Sequence, residues 1–323
     1  MISIIISSGR ASLLERAKQN IQETIGTSFE LLVYPNYRGN RGLCEVYNQG
    51  ARAAKYDILC YMHEDLDIQT ANWGQVVLDL FNANQNLGVL GVAGSSYKSF
   101  APSAWAAVTR NRELMYCNYI QQFRDRSQQP VRYYENIGNN STAEVVSVDG
   151  MWFCTPKHIA LAHPFDERTF DGFHCYDQDY CLGLFGKYPV LVTFDVMIAH
   201  ASEGNYGSDW IENTLKLHLK WGHKLPFSVG GVGEKTSQQV EKNAYKYFIE
   251  KLATHGYPQT YAETLLAEHR SSGKISIFLY LKLQYYIYKF FAKVPREDSG
   301  YPLINSLTLA AIGLGALPKG KRK

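Results

Sequence analysis

The apolar residues near the start of the chain switch repeatedly between the period of a strand and that of a helix. Residues 2–6 form an isoleucine-rich run that stops at Ser7-Ser8-Gly9, as a strand buried on both faces would. From Leu13 to Ile25 apolar residues recur at helical spacing, so we expect Ser12 to cap a helix and Gly26 to end it. Further strands are predicted at 29–34, 58–62 and 89–93, and further helices at 43–54 and 73–84. This alternation predicts a parallel sheet covered by helices.

The later part of the chain is less regular. Between about residues 96 and 145 the sequence becomes polar and rich in Tyr and Asn, which we interpret as antiparallel loops over a site. Strands are again predicted at 145–148 and 189–194. We therefore expect one mixed α/β domain over residues 1–225 and a helical region over residues 226–323.

Composition narrows the classes of function. The 323 residues, 46% apolar and 20% charged, describe a globular chain with a large core. A balance of 33 basic against 30 acidic residues leaves a charge of +3, which is too even for a dedicated nucleic-acid-binding protein. The six cysteines form no CxxC pair, and the short apolar start has no basic region before it, so we expect a cytoplasmic chain. No uninterrupted run of eighteen apolar residues predicts a transmembrane helix.

The first candidate site is His63-Glu64-Asp65, directly after the predicted strand 58–62. Ligands of a parallel sheet bind beyond the carboxyl ends of its strands. Adjacent carboxylates repel each other unless they are solvated or neutralised by a cation, and loop oxygens suit Mg²⁺ or Mn²⁺. The sequence therefore indicates either a metal site or an exposed acidic turn.

A second pair of carboxylates, Asp177 and Asp179, opens a predicted helix. Carboxylates are favoured at a helix start by the dipole and by the free amides, so either one can serve as an N-cap. Two exceed what capping needs, which leaves one as a candidate general base.

Several motifs occur in a definite order along the chain. They are an apolar first strand, a second strand ending near Asn36, Gly42–Gly50, Tyr56–Asp65, Phe165–Arg168 and Tyr176–Asp179. This order resembles the inverting family 2 glycosyltransferases, and most closely the bacterial glycosyltransferase-like branch with His-Glu-Asp or His-Gln-Asp in place of Asp-x-Asp. The resemblance covers about residues 2–205. It implies the GT-A fold, a Rossmann-like mixed sheet flanked by helices, here with a helical C-terminal extension.

The resemblance also implies a metal site. In that family the Asp-x-Asp element holds a divalent metal, Mn²⁺ or Mg²⁺, on the diphosphate of a nucleotide-sugar donor. This role falls on Asp65 and His63, with Asp65 the more direct ligand, and Glu64 takes the variable middle place beside the nucleotide. A histidine after the last core strand often completes the site, which implies His200.

The family's catalytic base corresponds to Asp177, which would deprotonate the acceptor hydroxyl. Tyr176 stands where the family carries Glu, and we assign it with Asp179 to the acceptor pocket. Asp149-Gly150 lies where related enzymes shape the donor-sugar or acceptor pocket. Trp152 is expected either to stack on a sugar or to lie in the core.

Five polar residues match the positions at which members of the family bind the base and ribose: Ser7, Ser8, Arg10, Asn36 and Asn48. Their hydroxyl and amide groups can meet a nucleobase edge, and Arg10 can meet phosphate. Turn, cap and helix-surface roles are the alternatives.

Together these features imply a metal-dependent hexosyltransferase with an inverting mechanism. It would move a sugar from a UDP- or GDP-linked donor to a glycan or lipid-linked acceptor in surface glycan or polysaccharide synthesis. Two alternatives remain: a nucleotidyltransferase on a related sheet, and a non-catalytic protein that binds carbohydrate or nucleotide sugar. Nucleic acid is not an expected partner.

The segment 275–293 is apolar and aromatic, with only two lysines and a glutamine inside it. It is too polar to span a bilayer and too apolar for a free surface helix. One interpretation packs it as ordinary core. The other docks the enzyme on the inner face of an anionic membrane together with the apolar stretch Leu307–Leu317 and the basic tail of Lys319, Lys321, Arg322 and Lys323.

Overall fold

Strands and helices alternate through the first hundred residues of the chain, whose computed structural model describes residues 1–106, 112–125 and 127–293. The described strands are β1 (Ile2–Ser8), β2 (Phe29–Pro35), β3 (Ile58–Met62), β4 (Leu66–Ile68), β5 (Val89–Gly91), β6 (Ala93–Ser95), β7 (Tyr97–Lys98), β8 (Met115–Gln121), β9 (Val131–Glu135), β10 (Thr142–Glu144), β11 (Ser147–Val148), β12 (Trp152–Pro156), β13 (Val190–Thr193), β14 (Ile198–His200) and β15 (Phe227–Ser228). The described helices are α1 (Ala11–Thr24), α2 (Leu43–Ala53), α3 (Trp73–Ala83), α4 (Lys157–Ala162), α5 (Tyr176–Leu184), α6 (Ser208–Trp221), α7 (Glu234–Thr254), α8 (Gln259–Ser271) and α9 (Ile277–Phe291). Every element predicted in the first 95 residues is present, and the predicted strand 89–93 is divided into β5 and β6.

The chain forms two compact units. The first contains residues 1–98, 105–204 and 226–232, and the second contains residues 99–104, 205–225 and the described residues from 233 onward. Helix α6 therefore belongs to the second unit, whereas the sequence placed it before a boundary near residue 225.

The larger sheet of the first unit is mixed. Its seven described strands follow the order β10-β13-β5-β12-β3-β1-β2. β1 lies between β2 and β3 and runs parallel to both, with Ile2 opposite Phe29 and Ile58. β12 runs antiparallel between β3 and β5. The expected mixed sheet flanked by helices is thus confirmed.

A second sheet orders its described strands β11-β6-β8-β14-β4, with β9 also paired to β8. β8 and β9 are antiparallel and lie in the stretch where loops over a site were predicted. β14 runs antiparallel to β4, with His200 opposite Leu66. This register brings the end of β14 beside the residues that directly follow β3.

The core of the first unit follows from the apolar pattern. The isoleucines of β1 are fully buried, and each such side chain stabilises the fold by about 1.5–3 kcal/mol. Trp152 lies fully buried on the central strand β12 and meets Trp73 edge to face, with ring centroids 5.8 Å apart. In the described chain all six cysteines are buried and none forms a disulfide.

The two ends of α1 differ in how well they were predicted. Gly26 ends the helix in the left-handed region, with φ at +66°, as expected. The predicted cap at Ser12 is wrong, because the N-cap is Arg10 and Ser12 lies inside the first turn. Among the described residues no side chain caps the first-turn amides, and the Glu64 carboxylate accepts hydrogen bonds from the backbone amides of Gly9 and of Arg10 itself.

Helices α6 to α9 form most of the second unit, with α7, α8 and α9 packed on one another. Leu283 and Ile287 are the buried residues of α9. Across the described ranges, no helix combines the length and the apolar character needed to cross a membrane. The stretch Leu307–Leu317 and the basic tail at residues 319–323 lie outside the described residues.

Candidate active site

Three candidate metal ligands converge at the carboxyl end of β3. His63 and Asp65 follow that strand directly, and His200 ends β14. The Ala201 N–H donates to the Asp65 carbonyl at 3.2 Å, which continues the pairing of β14 with β4. One ligand atom from each of His63, Asp65 and His200 lies within 4.8 Å of the others. The structure therefore brings together the three residues that the sequence assigned to a metal.

The donor set of this cluster fits a divalent cation. His200 Nε2 lies 3.5 Å from Asp65 Oδ1 and is buried without a hydrogen-bond partner among the described residues. A buried polar atom without a partner is costly, and a bound cation would satisfy it. Two imidazoles and one carboxylate suit a metal of the Mn²⁺ type better than Mg²⁺, which prefers oxygen ligands.

The charges within the cluster support one another. Burial would raise the pKa of Asp65, but the neighbouring imidazoles of His200 and His63 outweigh it and lower that pKa. Burial would lower the pKa of His200, but the Asp65 and Asp149 carboxylates raise it. For His63, burial prevails and its pKa is lowered. Asp65 is thus ionised and His63 is kept neutral near pH 7, which are the states that bind a metal.

Tyr176 links the cluster to the next loop. Its hydroxyl donates to the Gly150 carbonyl at 3.0 Å and lies 2.9 Å from His63 Nε2. Because the hydroxyl proton is used on Gly150, His63 Nε2 must carry the proton of that second bond. The lone pair of His63 then lies on Nδ1, so Tyr176 selects the imidazole tautomer.

Gly150 is required by this contact. A Cβ at Gly150 would lie 2.2 Å from the Tyr176 hydroxyl oxygen. The residue before Tyr176, Cys175, adopts a left-handed backbone with φ at +66°, which is uncommon for a residue other than glycine. The start of α5 is therefore shaped by close approach and by local strain.

Asp177 lies beside this contact and is nearly buried, at 8% exposure. Its Oδ2 accepts the Gly150 N–H and its Oδ1 accepts its neighbour's N–H at Gln178, both at 2.8 Å. Burial and the nearby Asp149 carboxylate raise the pKa of Asp177 to about 7, against the opposing effect of these amides. A carboxyl with this pKa is suited to general-base chemistry near neutral pH.

Asp149 supplies negative charge to the whole site. Its Oδ1 accepts the Met151 N–H at 2.8 Å. Its charge raises the pKa values of Asp177 and Tyr176 and favours protonation of His63 and His200. The site thus gathers carboxylates and imidazoles from four separate stretches of sequence.

Glu64 points to the loop after β1. Its carboxylate accepts the Ser8 hydroxyl at 2.7 Å and the amides of Gly9 and Arg10 at 3.1 and 3.2 Å. The Ser8 hydroxyl is therefore committed to Glu64, whereas the Arg10 side chain is exposed at the edge of the site.

The two asparagines predicted to grip the nucleotide make bonds within the protein. Asn36 accepts the Arg41 N–H and donates to the Arg41 carbonyl, and its amide lies 3.5 Å from Ser7 Oγ. Asn48 is buried on α2, where it donates to the Phe165 carbonyl and accepts the Phe165 N–H. Asn36 thus closes its own loop, and Asn48 joins α2 to the segment before α5.

Two residues predicted for the substrate pocket are buried. Trp152 lies in the core, the second of its two expected places, because its side chain is fully buried and packs against Trp73. Asp179 is 5% exposed and lies within the first turn of α5, where its N–H donates to the Cys175 carbonyl.

One residue that sequence reasoning missed stands beside the cluster. Phe173 is 56% exposed, and its ring centroid lies 5.2 Å from that of His63. Exposed aromatic rings near a polar site are suited to stacking on a ligand. Only its position in the Gly172-Phe173-His174 stretch before the Asp177 helix could have drawn attention to it.

Comparison with known proteins adds to this geometry. A family model described as "Glycosyltransferase like family" matches residues 13–199, more than half of the chain. The search of curated proteins finds no match. Among solved structures, TarS from S. aureus is 10% identical with a TM-score of 0.51, over 91% of this chain and 54% of its own.

Two further structures are less similar. GalNAc-T7, solved with UDP, GalNAc and Mn²⁺, is 12% identical with a TM-score of 0.46, over 79% of this chain and 56% of its own. A197 from STIV is 12% identical with a TM-score of 0.34, over 62% of this chain and 86% of its own. The chain spans about half the length of the TarS and GalNAc-T7 chains. The likeness to TarS confirms the GT-A fold.

Proposed function

The chain belongs to the glycosyltransferase-like family, and on that premise we propose that it moves a sugar from a nucleotide-diphosphate donor to an acceptor hydroxyl. The transfer proceeds with inversion at the anomeric carbon. The donor is UDP- or GDP-linked, and the acceptor is a glycan or a lipid-linked sugar of a surface polysaccharide. The six buried cysteines suit a reducing, cytoplasmic location.

The observation that carries this proposal is the grouping of two kinds of chemistry at one strand end. The first is the cluster of His63, Asp65 and His200, with the buried Nε2 of His200 lacking a hydrogen-bond partner among the described residues. The second is Asp177, with its pKa raised to about 7, joined to the cluster through Gly150 and Tyr176. Sugar transfer needs both a counter-charge for the leaving diphosphate and a base for the acceptor.

His63, Asp65 and His200 would hold a divalent metal, with Mn²⁺ favoured by the two imidazoles. The metal supplies Lewis-acid neutralisation of the charge that develops on the departing nucleoside diphosphate. Tyr176 keeps the Nδ1 lone pair of His63 available, and Asp149 adds negative charge close by. We assign the exposed side chain of Arg10, at the start of α1, to the diphosphate.

Asp177 removes the proton from the acceptor hydroxyl. As the acceptor oxygen bonds to the anomeric carbon, the bond from that carbon to the diphosphate oxygen breaks, and the proton passes to the Asp177 carboxylate. Attack and departure on opposite faces invert the anomeric centre. The two backbone amides on Asp177 hold the carboxylate in place while each oxygen keeps a lone pair for the proton.

The donor pocket is organised by loops that follow β1 and β2. The Glu64 carboxylate holds the Ser8 hydroxyl and the Gly9 and Arg10 amides, and we assign Ser7 and the Arg10 side chain to the nucleotide. Asn36 and Asn48 shape the pocket through the loops they hold. We assign Phe173 to stacking on the sugar or acceptor.

The test is a panel of UDP- and GDP-sugars incubated with the full chain and Mn²⁺ or Mg²⁺, with release of nucleoside diphosphate as the readout. Turnover in wild type, loss in Asp177→Asn and retention in the exposed control Asp79→Asn would support the proposal. Donor binding without any turnover would favour the non-catalytic binding protein. Pyrophosphate release from a nucleoside triphosphate and a sugar phosphate would favour the nucleotidyltransferase.

A further inference from the structure

Helix α9 exposes an apolar stripe along one side. Phe278, Leu281, Tyr285 and Tyr288 are 75%, 57%, 64% and 69% exposed. Their spacing of three and four residues places them on one face of the helix. The opposite side holds the buried Leu283 and Ile287, in the helix that packs on α7 and α8. One face of this segment is thus packed in the core, and the other face is exposed.

Lysines lie along the same face. A groove of about 400 Å³ is lined by Lys242 and Lys246 of α7 and by Lys282 of α9. Leu281, Tyr285 and Tyr286 also line it. Lys289 continues the basic side one turn beyond Tyr285, and α9 contains no acidic residue. None of these four lysines forms an ion pair within the described part of the chain.

We propose that this face of α9 docks the protein on an anionic lipid bilayer. The stripe enters the headgroup region side-on, and the lysines of the groove meet lipid phosphates. Fifteen residues at 1.5 Å each give a helix of about 22 Å, which is suited to lying in the plane of the interface. Tyrosine rings with one wet end are suited to that depth.

Charge favours a membrane over a second copy of this chain. A two-fold interface uses the same patch on both subunits, so it would bring two copies of this basic patch together. An anionic bilayer instead offers opposite charge to each of them, at roughly 1 kcal/mol per residue, or about 5-fold in partition coefficient. The docking proposal goes beyond the proposed sugar transfer and does not depend on it.

The test is flotation of the full chain with vesicles of phosphatidylcholine alone or mixed with phosphatidylglycerol, at low and at high salt. Wild type should bind the mixed vesicles at low salt and be released at high salt. Leu281→Glu should weaken vesicle binding on the order of 10-fold or more, because it removes apolar area from the stripe and adds a negative charge that the anionic lipids repel. The double variant Lys282→Glu, Lys289→Glu should do the same.

Matched controls separate docking from misfolding. Leu161→Glu places the same change at a residue that is 46% exposed on α4, and Lys187→Glu reverses an exposed charge outside α9. Both should bind vesicles as wild type does, and circular dichroism should show that all variants are folded. Equal vesicle binding by Leu281→Glu and wild type overturns the proposal. A second result would also overturn it: light scattering shows that wild type is a dimer, Leu281→Glu dissociates this dimer, and wild type does not bind vesicles. That result would assign the stripe to an interface with a second copy of the chain.

Discussion

The Asp177→Asn substitution is expected to remove activity and, above neutral pH, to stabilise the fold. Burial and the neighbouring Asp149 raise the pKa of the Asp177 carboxyl from 3.8 to about 7. The folded protein therefore keeps a proton that the unfolded chain releases near pH 4. The stability that this proton provides is complete below pH 3.8 and is lost as the pH rises to about 7.

The size of this effect follows from the two pKa values. Each pH unit between them changes the free energy of unfolding by about 1.4 kcal/mol. From pH 5 to the folded-state pKa of about 7, the wild type therefore loses about 3 kcal/mol through this single group. Asparagine cannot ionise and avoids that loss. Placing the asparagine amide next to the Gln178 N–H lowers the free energy of unfolding by ~1–3 kcal/mol at every pH.

The assay is urea unfolding of the full chain in EDTA at pH 5 and pH 8, followed by tryptophan fluorescence. The stability of Asp177→Asn relative to wild type should rise by about 3 kcal/mol between the two pH values. The exposed control Asp79→Asn should show no comparable change. A relative stability of Asp177→Asn that is the same at both pH values would refute a buried ionisation at this site.

Five further substitutions test the neighbouring contacts. Asp65→Ala should abolish Mn²⁺ binding and nucleotide-sugar turnover in a folded protein, with a smaller loss for His63→Ala; near wild-type turnover of Asp65→Ala would remove the metal from this site. Tyr176→Phe should weaken Mn²⁺ binding about 10-fold by calorimetry, because the His63 tautomer is no longer selected, and unchanged affinity would reject that role. Gly150→Ala should lower the free energy of unfolding by about 1–3 kcal/mol, since its Cβ would meet the Tyr176 hydroxyl; an unchanged urea midpoint would contradict this. Phe173→Ala should raise KM with little change in kcat, and an unaltered KM for donor and acceptor would exclude stacking by this ring.

The fold of the first hundred residues could be predicted because strand and helix periods there are regular. The runs that became β1, β2 and β3 are short and apolar, and α1 to α3 each carry an apolar stripe. The place of β12 could not be predicted, since its antiparallel pairing with β3 joins residues about 90 positions apart. The contact of Glu64 with the Gly9 and Arg10 amides before α1 could not be predicted for the same reason.

Some residues of the candidate site could likewise be predicted from the sequence, and others could not. His63 and Asp65 could be picked out because they directly follow an apolar strand, whereas His200 was implied only by the resemblance to the family. The contact of Tyr176 with Gly150 and His63 depends on three distant segments and has no local signal. The role of Trp152 was undecided from sequence, since an aromatic ring suits both a sugar and a core. The full burial of its side chain against Trp73 decided it.

The central claim is inverting sugar transfer with Asp177 as base, and the anomeric form of the first product tests it most directly. Proton NMR would follow hydrolysis of α-linked UDP- and GDP-sugars by the full chain in Mn²⁺, before the released sugar equilibrates. We predict that the β-anomer appears first, together with the nucleoside diphosphate, and that Asp177→Asn releases it ~10²–10⁴-fold more slowly. The α-anomer as first product, or an unchanged rate in Asp177→Asn, would contradict the account.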